Sequence, residues 1–175
     1  GDRLYLLGAP TADLLGSAHR EAGFSAGRPA VPAPNFAAAR AEIGAVLDLV
    51  EAGLVAAAHD VSDGGLAAAL AEMVLGLDWQ RRLGARVTLP ADLAELTLRE
   101  ALFSEAGGFV VAVAPERAAE AERILAAAGA WWRPLGEVTA EPRLEVARAD
   151  APRARVAVDL ADLAAAWRRT LPELW

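Results

Sequence analysis

At 175 residues, 55% of them apolar, the chain has the size of one ordinary folded domain and is excluded from the disordered class. The absence of cysteine removes disulfides, thiolate metal sites and thiol nucleophiles together, and fits a reducing, cytoplasmic location. A formal charge of -7 disfavours nucleic acid or an anionic membrane surface as partner, and no run approaches the roughly 18 apolar residues of a membrane span. The chain begins at Gly1 and enters a strand-like run at once, which fits a processed protein or a piece of a longer one.

Arg3 to Leu7 reads as a strand closed by Gly8. Thr11 to Glu21 carries Leu14, Leu15 and Ala18 at helical spacing, weakened by Gly16 and Ser17, and His19 within it reads as a solvated residue. Glycine and prolines punctuate Gly23 to Pro34, a loop. Asn35 then caps a long helix in which Phe36, Ile43, Leu47, Val50 and Leu54 share one face; Gly53 ends it, and Leu54 to Ala58 forms a strand.

Leu66 to Leu75 is helical, with Leu66, Leu70 and Met73 as an apolar stripe closed by Gly76. Asp78 to Arg82 reads as an exposed turn with Trp79 beside Arg81 and Arg82. Arg86 to Leu89 alternates as a half-buried strand stopped by Pro90, and Ala91 to Ala101 is a short helical stretch. Phe109 to Val113 is the strongest strand signal, and Pro115 opens a helix through Ala128 with Ile124 and Leu125 inward. Trp131 and Trp132, adjacent in a strand, point to opposite faces. Leu135 to Val138, Leu144 to Val146 and Arg155 to Val158 are further strands. Asp159 caps a final helix on which Leu160, Leu163, Trp167 and Leu171 share a face. Strands and helices interleave without linker or repeat, so residues 1–175 are expected to form a single α/β layered domain.

Two polar corners closed by glycine interrupt this pattern. The first, His59-Asp60-Val61-Ser62-Asp63-Gly64-Gly65, lies where a strand hands over to a helix. Gly64 and Gly65 permit close backbone approach beside the unpaired amides of the helix start, which can hold an anion; alternatively Ser62 or Asp63 caps them. His59 can shuttle a proton or serve as a hydrogen-bonded structural histidine, and Asp60 and Asp63 are hard oxygen ligands of the kind magnesium accepts. A bare phosphate would meet two negative side chains here, so an anion site needs a bridging cation or carboxylates turned away.

The second corner, Leu102-Phe103-Ser104-Glu105-Ala106-Gly107-Gly108, feeds the strand at Phe109. If the corners converge, Glu105 faces the His59 loop; otherwise it is an exposed turn carboxylate. Other chemistries lack their residues. No lysine exists for a P-loop, two histidines without cysteine make a zinc set only if carboxylates complete it, and Ser17, Ser62 and Ser104 lack a nucleophile elbow. Neither Arg81-Arg82 nor Arg168-Arg169 joins an aromatic ladder for single-stranded nucleic acid.

The stretch Ala58 to Leu66, with Ala69-Leu70-Ala71-Glu72-Met73 behind it, closely resembles the final domain of the phosphoribosylformylglycinamidine synthase family, in its synthetase subunit. Gly1-Asp2 with Leu4 to Gly8, Leu102 to Glu105 ahead of Phe109 to Val113, Leu135 to Thr139, and Leu163 to Leu171 resemble further signatures of that domain in the same order. Aminoimidazole ribonucleotide synthetase, selenophosphate synthetase, the hydrogenase maturation dehydratase and thiamine monophosphate kinase belong to the wider group.

The resemblance implies a three-layer α/β/α mixed sheet with partial ferredoxin-like topology. It also implies a reaction of the complete enzyme: ATP and magnesium activate the amide oxygen of formylglycinamide ribonucleotide, and ammonia from glutamine displaces phosphate. Partners implied are the preceding domains of the same synthetase, a glutaminase subunit or domain, and a small accessory subunit. The catalytic histidine and most ligands are assigned to the earlier domains. In the catalytic sister copy the second corner continues from glutamate into serine and glutamine, whereas Ala106 and Gly107 follow Glu105 here. This departure implies a non-catalytic copy with no metal of its own, in which His59, Asp60, Ser62, Asp63, Gly64, Gly65 and Glu105 form a cleft wall or an auxiliary nucleotide site. The alternatives are a stand-alone ATP-dependent kinase or synthetase, and an interaction domain that binds no ligand. Apolar surface, with Trp79, Trp131 and Trp132, is expected to be covered by missing domains or in a dimer.

Overall fold

The computed structural model describes residues 1–24, 30–76 and 83–169. Its strands are β1 (Arg3–Leu7), β2 (Val55–Asp60), β3 (Gly84–Leu89), β4 (Phe109–Val113), β5 (Trp132–Thr139), β6 (Arg143–Arg148) and β7 (Arg155–Asp159). Its helices are α1 (Ala18–Glu21), α2 (Phe36–Glu51), α3 (Gly65–Leu75), α4 (Leu98–Phe103), α5 (Ala118–Ala127) and α6 (Leu160–Arg169). The expected helix over Thr11 to Glu21 shrinks to its last turn, capped by Ser17. The stretch from Ala91 splits into a 3-10 turn, Ala91–Leu93, and then α4 behind the capping box of Thr97 and Glu100.

One mixed sheet takes the order β2-β4-β1-β5-β3-β6-β7. Its first four strands pair antiparallel throughout, β2 with β4, β4 with β1 and β1 with β5. Since β1-α2-β2 and β4-α5-β5 are the two crossovers of this half, the order is that of a ferredoxin-like unit into which α3, β3 and α4 are inserted. The remaining strands extend the sheet, β3 antiparallel to β5 and parallel to β6, and β6 antiparallel to β7.

Alternation along the strands divides the core between two faces. Tyr5 and Leu7 of β1, with Val111 and Val113 of β4, pack under Ala45 and Leu49 of α2 and Ala121 and Leu125 of α5. Leu4 and Leu6, with Val110 and Ala112, pack under α3, α4 and Leu163 of α6. The result is the three-layer α/β/α arrangement. Each fully buried leucine here contributes about 1.5–3 kcal/mol. Met73 packs against the α3 cluster and Ile124 against the α5 cluster, as their spacing predicts.

Periodicity fails at α2. Of the stripe it selects, Phe36 at 80%, Ile43 at 50%, Leu47 at 54% and Val50 at 53% are exposed, while Leu54, beyond the helix end, is buried; the face on the sheet is Glu42, Ala45 and Leu49. Spacing identifies an apolar stripe without saying which stripe meets the sheet, and here the half-buried Ala38 and Ala41 beside Ala45 permit a close approach. Asn35 does cap α2, accepting from the Ala38 amide. On α6, Leu160 is buried but Trp167 is 63% exposed. Trp131 and Trp132 pack on opposite clusters, Trp131 also under Arg133, so they do not form the bare apolar surface expected of them. Trp79, Arg81, Arg82 and Leu171 lie outside the described residues.

Tyr5, the chain's single tyrosine, is 1% exposed, meets Trp132 edge-on and donates its hydroxyl to Glu122 at 2.9 Å. Burial, then the hydrogen bond to Glu122 and its negative charge, push the phenol up to about 12. The unfolded chain loses this proton near pH 10 while the folded chain keeps it, so the contribution to stability is complete below about pH 10 and is lost as pH rises toward 12. A spectrophotometric titration of the folded chain should therefore show no phenolate until well above pH 10. An ordinary midpoint would contradict the buried, hydrogen-bonded hydroxyl.

Candidate functional site

The strand register gathers the two corners. Leu7 at the end of β1 faces Phe109 at the start of β4 and Trp132 at the start of β5, and Asp60 at the end of β2 also faces Phe109. The segments after β1 and β2 and the segment before β4 therefore meet at one sheet end. Val61 donates its amide to the Gly108 carbonyl at 2.9 Å, and Thr11 donates to the buried Ser104 Oγ at 2.9 Å. The first corner starts inside β2, because His59 and Asp60 are its last two residues.

Glu105 joins these segments. Its Oε1 accepts from the Gly64 amide at 2.7 Å and from the Ala18 amide at 2.8 Å. It is thus neither an exposed turn carboxylate nor remote from the His59 loop. Its oxygen sits on the amide of Gly64, the N-cap residue of α3. Ser62 and Asp63 are exposed, and neither supplies the expected cap; Gly64 occupies the N-cap position with no side-chain hydrogen bond. One of the first amides of α3 is satisfied from the second corner.

His59 is tied inward. Its Nε2 lies 2.8 Å from Glu72 Oε2 on α3, and its Nδ1 lies 2.7 Å from the Asp60 carbonyl and 3.6 Å from Asp60 Oδ1. Both ring nitrogens face oxygen acceptors of the chain itself, the arrangement of a hydrogen-bonded structural histidine. The Asp60 side chain is 62% exposed. Gly65 makes the close approach expected of it, with φ at +65°; a methyl added there would stand 2.7 Å from the Ser104 carbonyl oxygen and 2.8 Å from that of Leu102. The two corners are consequently in backbone contact.

His19 is 7% exposed, with its ring 4.8 Å from that of Phe103 and 5.0 Å from that of Phe24. It is not the solvated residue its helical setting suggests. Burial, with the nearby Arg99 charge, holds the imidazole below its ordinary value. Sequence reasoning assigned no role to Glu72, Thr11 or the Ala18 amide, all of which help close the site. Glu72 had a signal, since it lies within the stretch that carries the resemblance; the others are brought in by long-range folding.

Asp60, Asp63, Glu72 and Glu105 make the corner region rich in carboxylates, which disfavours a bare phosphate. Among the described residues no group of three or more His, Cys, Asp or Glu is placed to hold a metal ion. His59 is held by Glu72, and Glu105 by the Gly64 and Ala18 amides, which leaves Asp60 and Asp63 as the exposed carboxylates of the first corner.

Strand order, layer structure and the paired corners define the class as a three-layer domain built on a ferredoxin-like half-sheet. The chain belongs to the AIR synthase related protein, C-terminal domain family, whose model matches residues 1–148. It is 33% identical over 175 residues to the phosphoribosylformylglycinamidine synthase subunit PurL of Lactobacillus acidophilus, covering 98% of this chain and 21% of the relative. Among solved structures it is similar to Thermotoga maritima PurL complexed with FGAR, at TM-score 0.75 and 25% identity, over 93% of this chain and 27% of the other. It is also similar to T. maritima PurL complexed with ATP, at TM-score 0.66 and 26% identity, over 93% and 25%. A third neighbour is the structure of PurLQS from T. maritima, at TM-score 0.67 and 26% identity, over 94% and 26%. The chain spans about a fifth of the length of the curated relative and about a quarter of the solved chains. Among the described residues, no helix is long and apolar enough to cross a membrane.

Proposed function

We propose that the chain is the C-terminal domain of a phosphoribosylformylglycinamidine synthase of purine biosynthesis, supporting rather than carrying out the ATP-dependent conversion of formylglycinamide ribonucleotide and glutamine to the amidine. Residues 1–175 act as one domain of that synthetase. ATP and magnesium belong to the complete enzyme, and the ammonia comes from a glutaminase subunit or domain; a small accessory subunit completes the assembly. The similar T. maritima PurL complexes with FGAR and with ATP, and the PurLQS structure, support this setting.

The observation that carries the supporting role is the seat of Glu105 Oε1 on the Gly64 and Ala18 amides. A phosphate would have to displace that carboxylate while approaching Asp60 and Asp63. The exposed stripe on α2 suits coverage by the rest of the synthetase. The test is ADP release by the purified chain given ATP, magnesium chloride, formylglycinamide ribonucleotide and ammonium chloride. No turnover above background is expected, whereas saturable turnover abolished by His59→Ala would overturn the reading.

Glu105→Ala is expected to cost about 1–3 kcal/mol, because two amides lose their acceptor, and Glu105→Gln less because a carbonyl oxygen remains. Urea denaturation of the three proteins measures the order. Equal stability of all three would show that the Glu105 contacts contribute nothing.

A further inference from the structure

Glu42 is a residue of α2 that neither the core nor the corner explains. It faces the sheet beside Ala45 and Leu49 and is 9% exposed, and burial pushes its carboxyl above the usual carboxylate range. Buried charges are ordinarily paired or bound to a metal. Among the described residues, no donor or cation meets Glu42, and its oxygens are not among the sealed, partnerless polar atoms, a set that holds His19 Nδ1 alone. The carboxyl is therefore unpaired yet reachable.

What it overlooks is a second acceptor. A methyl placed on Gly8 would stand 3.3 Å from the Glu42 carboxyl carbon and 3.1 Å from the Gly107 carbonyl oxygen. The carboxylate comes from α2 and the carbonyl from the second corner, and among the described residues no amide donates to that carbonyl. Two acceptors thus converge beside Gly8 with nothing positive between them. We propose that Glu42 and the Gly107 carbonyl form a site for a small monovalent cation. One carboxylate balances one positive charge, and carbonyl and water oxygens complete such a shell. Calcium takes six to eight oxygens and usually several carboxylates, and magnesium a near-ideal octahedron, neither of which this pair provides. A net charge of -7 favours cation capture.

The test compares thermal melting of the 175-residue chain in tetramethylammonium, lithium, sodium and potassium chloride at equal ionic strength and neutral pH. At least one small cation should raise the midpoint saturably by about 2–4 °C over tetramethylammonium. Glu42→Gln should abolish that rise and melt above the native chain in tetramethylammonium; Glu42→Leu provides the same comparison if the glutamine variant fails to fold. Identical melting of the native chain in all four salts, or an undiminished cation response in the variant that folds, overturns the proposal.

Discussion

Gly65→Ala is expected to destabilise the chain by about 2–5 kcal/mol, a large part of the roughly 5–15 kcal/mol that holds a domain folded. Two costs combine. At φ +65° a side chain adopts the left-handed region at about 1–2 kcal/mol, and the new methyl would lie 2.8 Å or closer to the carbonyl oxygens of Leu102 and Ser104. Those atoms are backbone and cannot swing aside, so overpacking adds about 1–3 kcal/mol. Gly16 separates the terms, because its φ is +83° and a methyl there meets nothing within 4 Å. Gly16→Ala should show the conformational cost alone. Urea denaturation giving equal losses at both positions would contradict the contact between corners.

The second large effect is expected at Arg148, the last residue of β6 and 7% exposed. Its guanidinium donates to the Leu96 carbonyl, to those of Ala94 at 3.3 Å and Leu93 at 3.4 Å, and to both carboxylate oxygens of Asp150 at 2.9 and 3.0 Å. These bonds fasten the sheet to the segment that leads into α4 and the second corner. Hydrogen bonding to Arg148 also holds the Asp150 carboxyl below the usual carboxylate range. Arg148→Met keeps much of the stem but removes the donor of the Ala94 and Leu96 carbonyls and the fork on Asp150, while the Leu93 carbonyl keeps the Leu96 amide, for an expected loss of about 3 kcal/mol. Lysine should recover less than half, since an ammonium cannot reproduce the planar fork. Denaturation of both variants measures this; a loss below about 1 kcal/mol for methionine would mean that water replaces the guanidinium.

The strands were legible because their alternation is local, and β1, β4 and the later strands fall close to where the sequence put them. The burying face of α2 was not, since Phe36, Ile43, Leu47 and Val50 look more like core than Glu42 and Ala45 do. His19 was misread for the same reason: its neighbours in sequence are polar, while Phe103, which covers it, is distant in the chain. The glycine pair at the first corner signalled close approach correctly, but not that the approaching group is the backbone of Leu102 and Ser104. The anion-accepting amides were also legible, whereas their occupant depended on Glu105 arriving from another loop. Arg148 gave no signal, because its carbonyl acceptors lie more than 50 residues away.

The most direct measurement follows the amide proton and nitrogen shifts of Gly64 and Ala18 in the native chain while magnesium-ADP and, separately, formylglycinamide ribonucleotide are titrated in. If Glu105 holds those amides and the domain is a support, neither resonance moves saturably, and both shift when Glu105 is replaced by alanine. Saturable movement of Gly64 and Ala18 with either ligand would make the corner a binding site in its own right and contradict the supporting role.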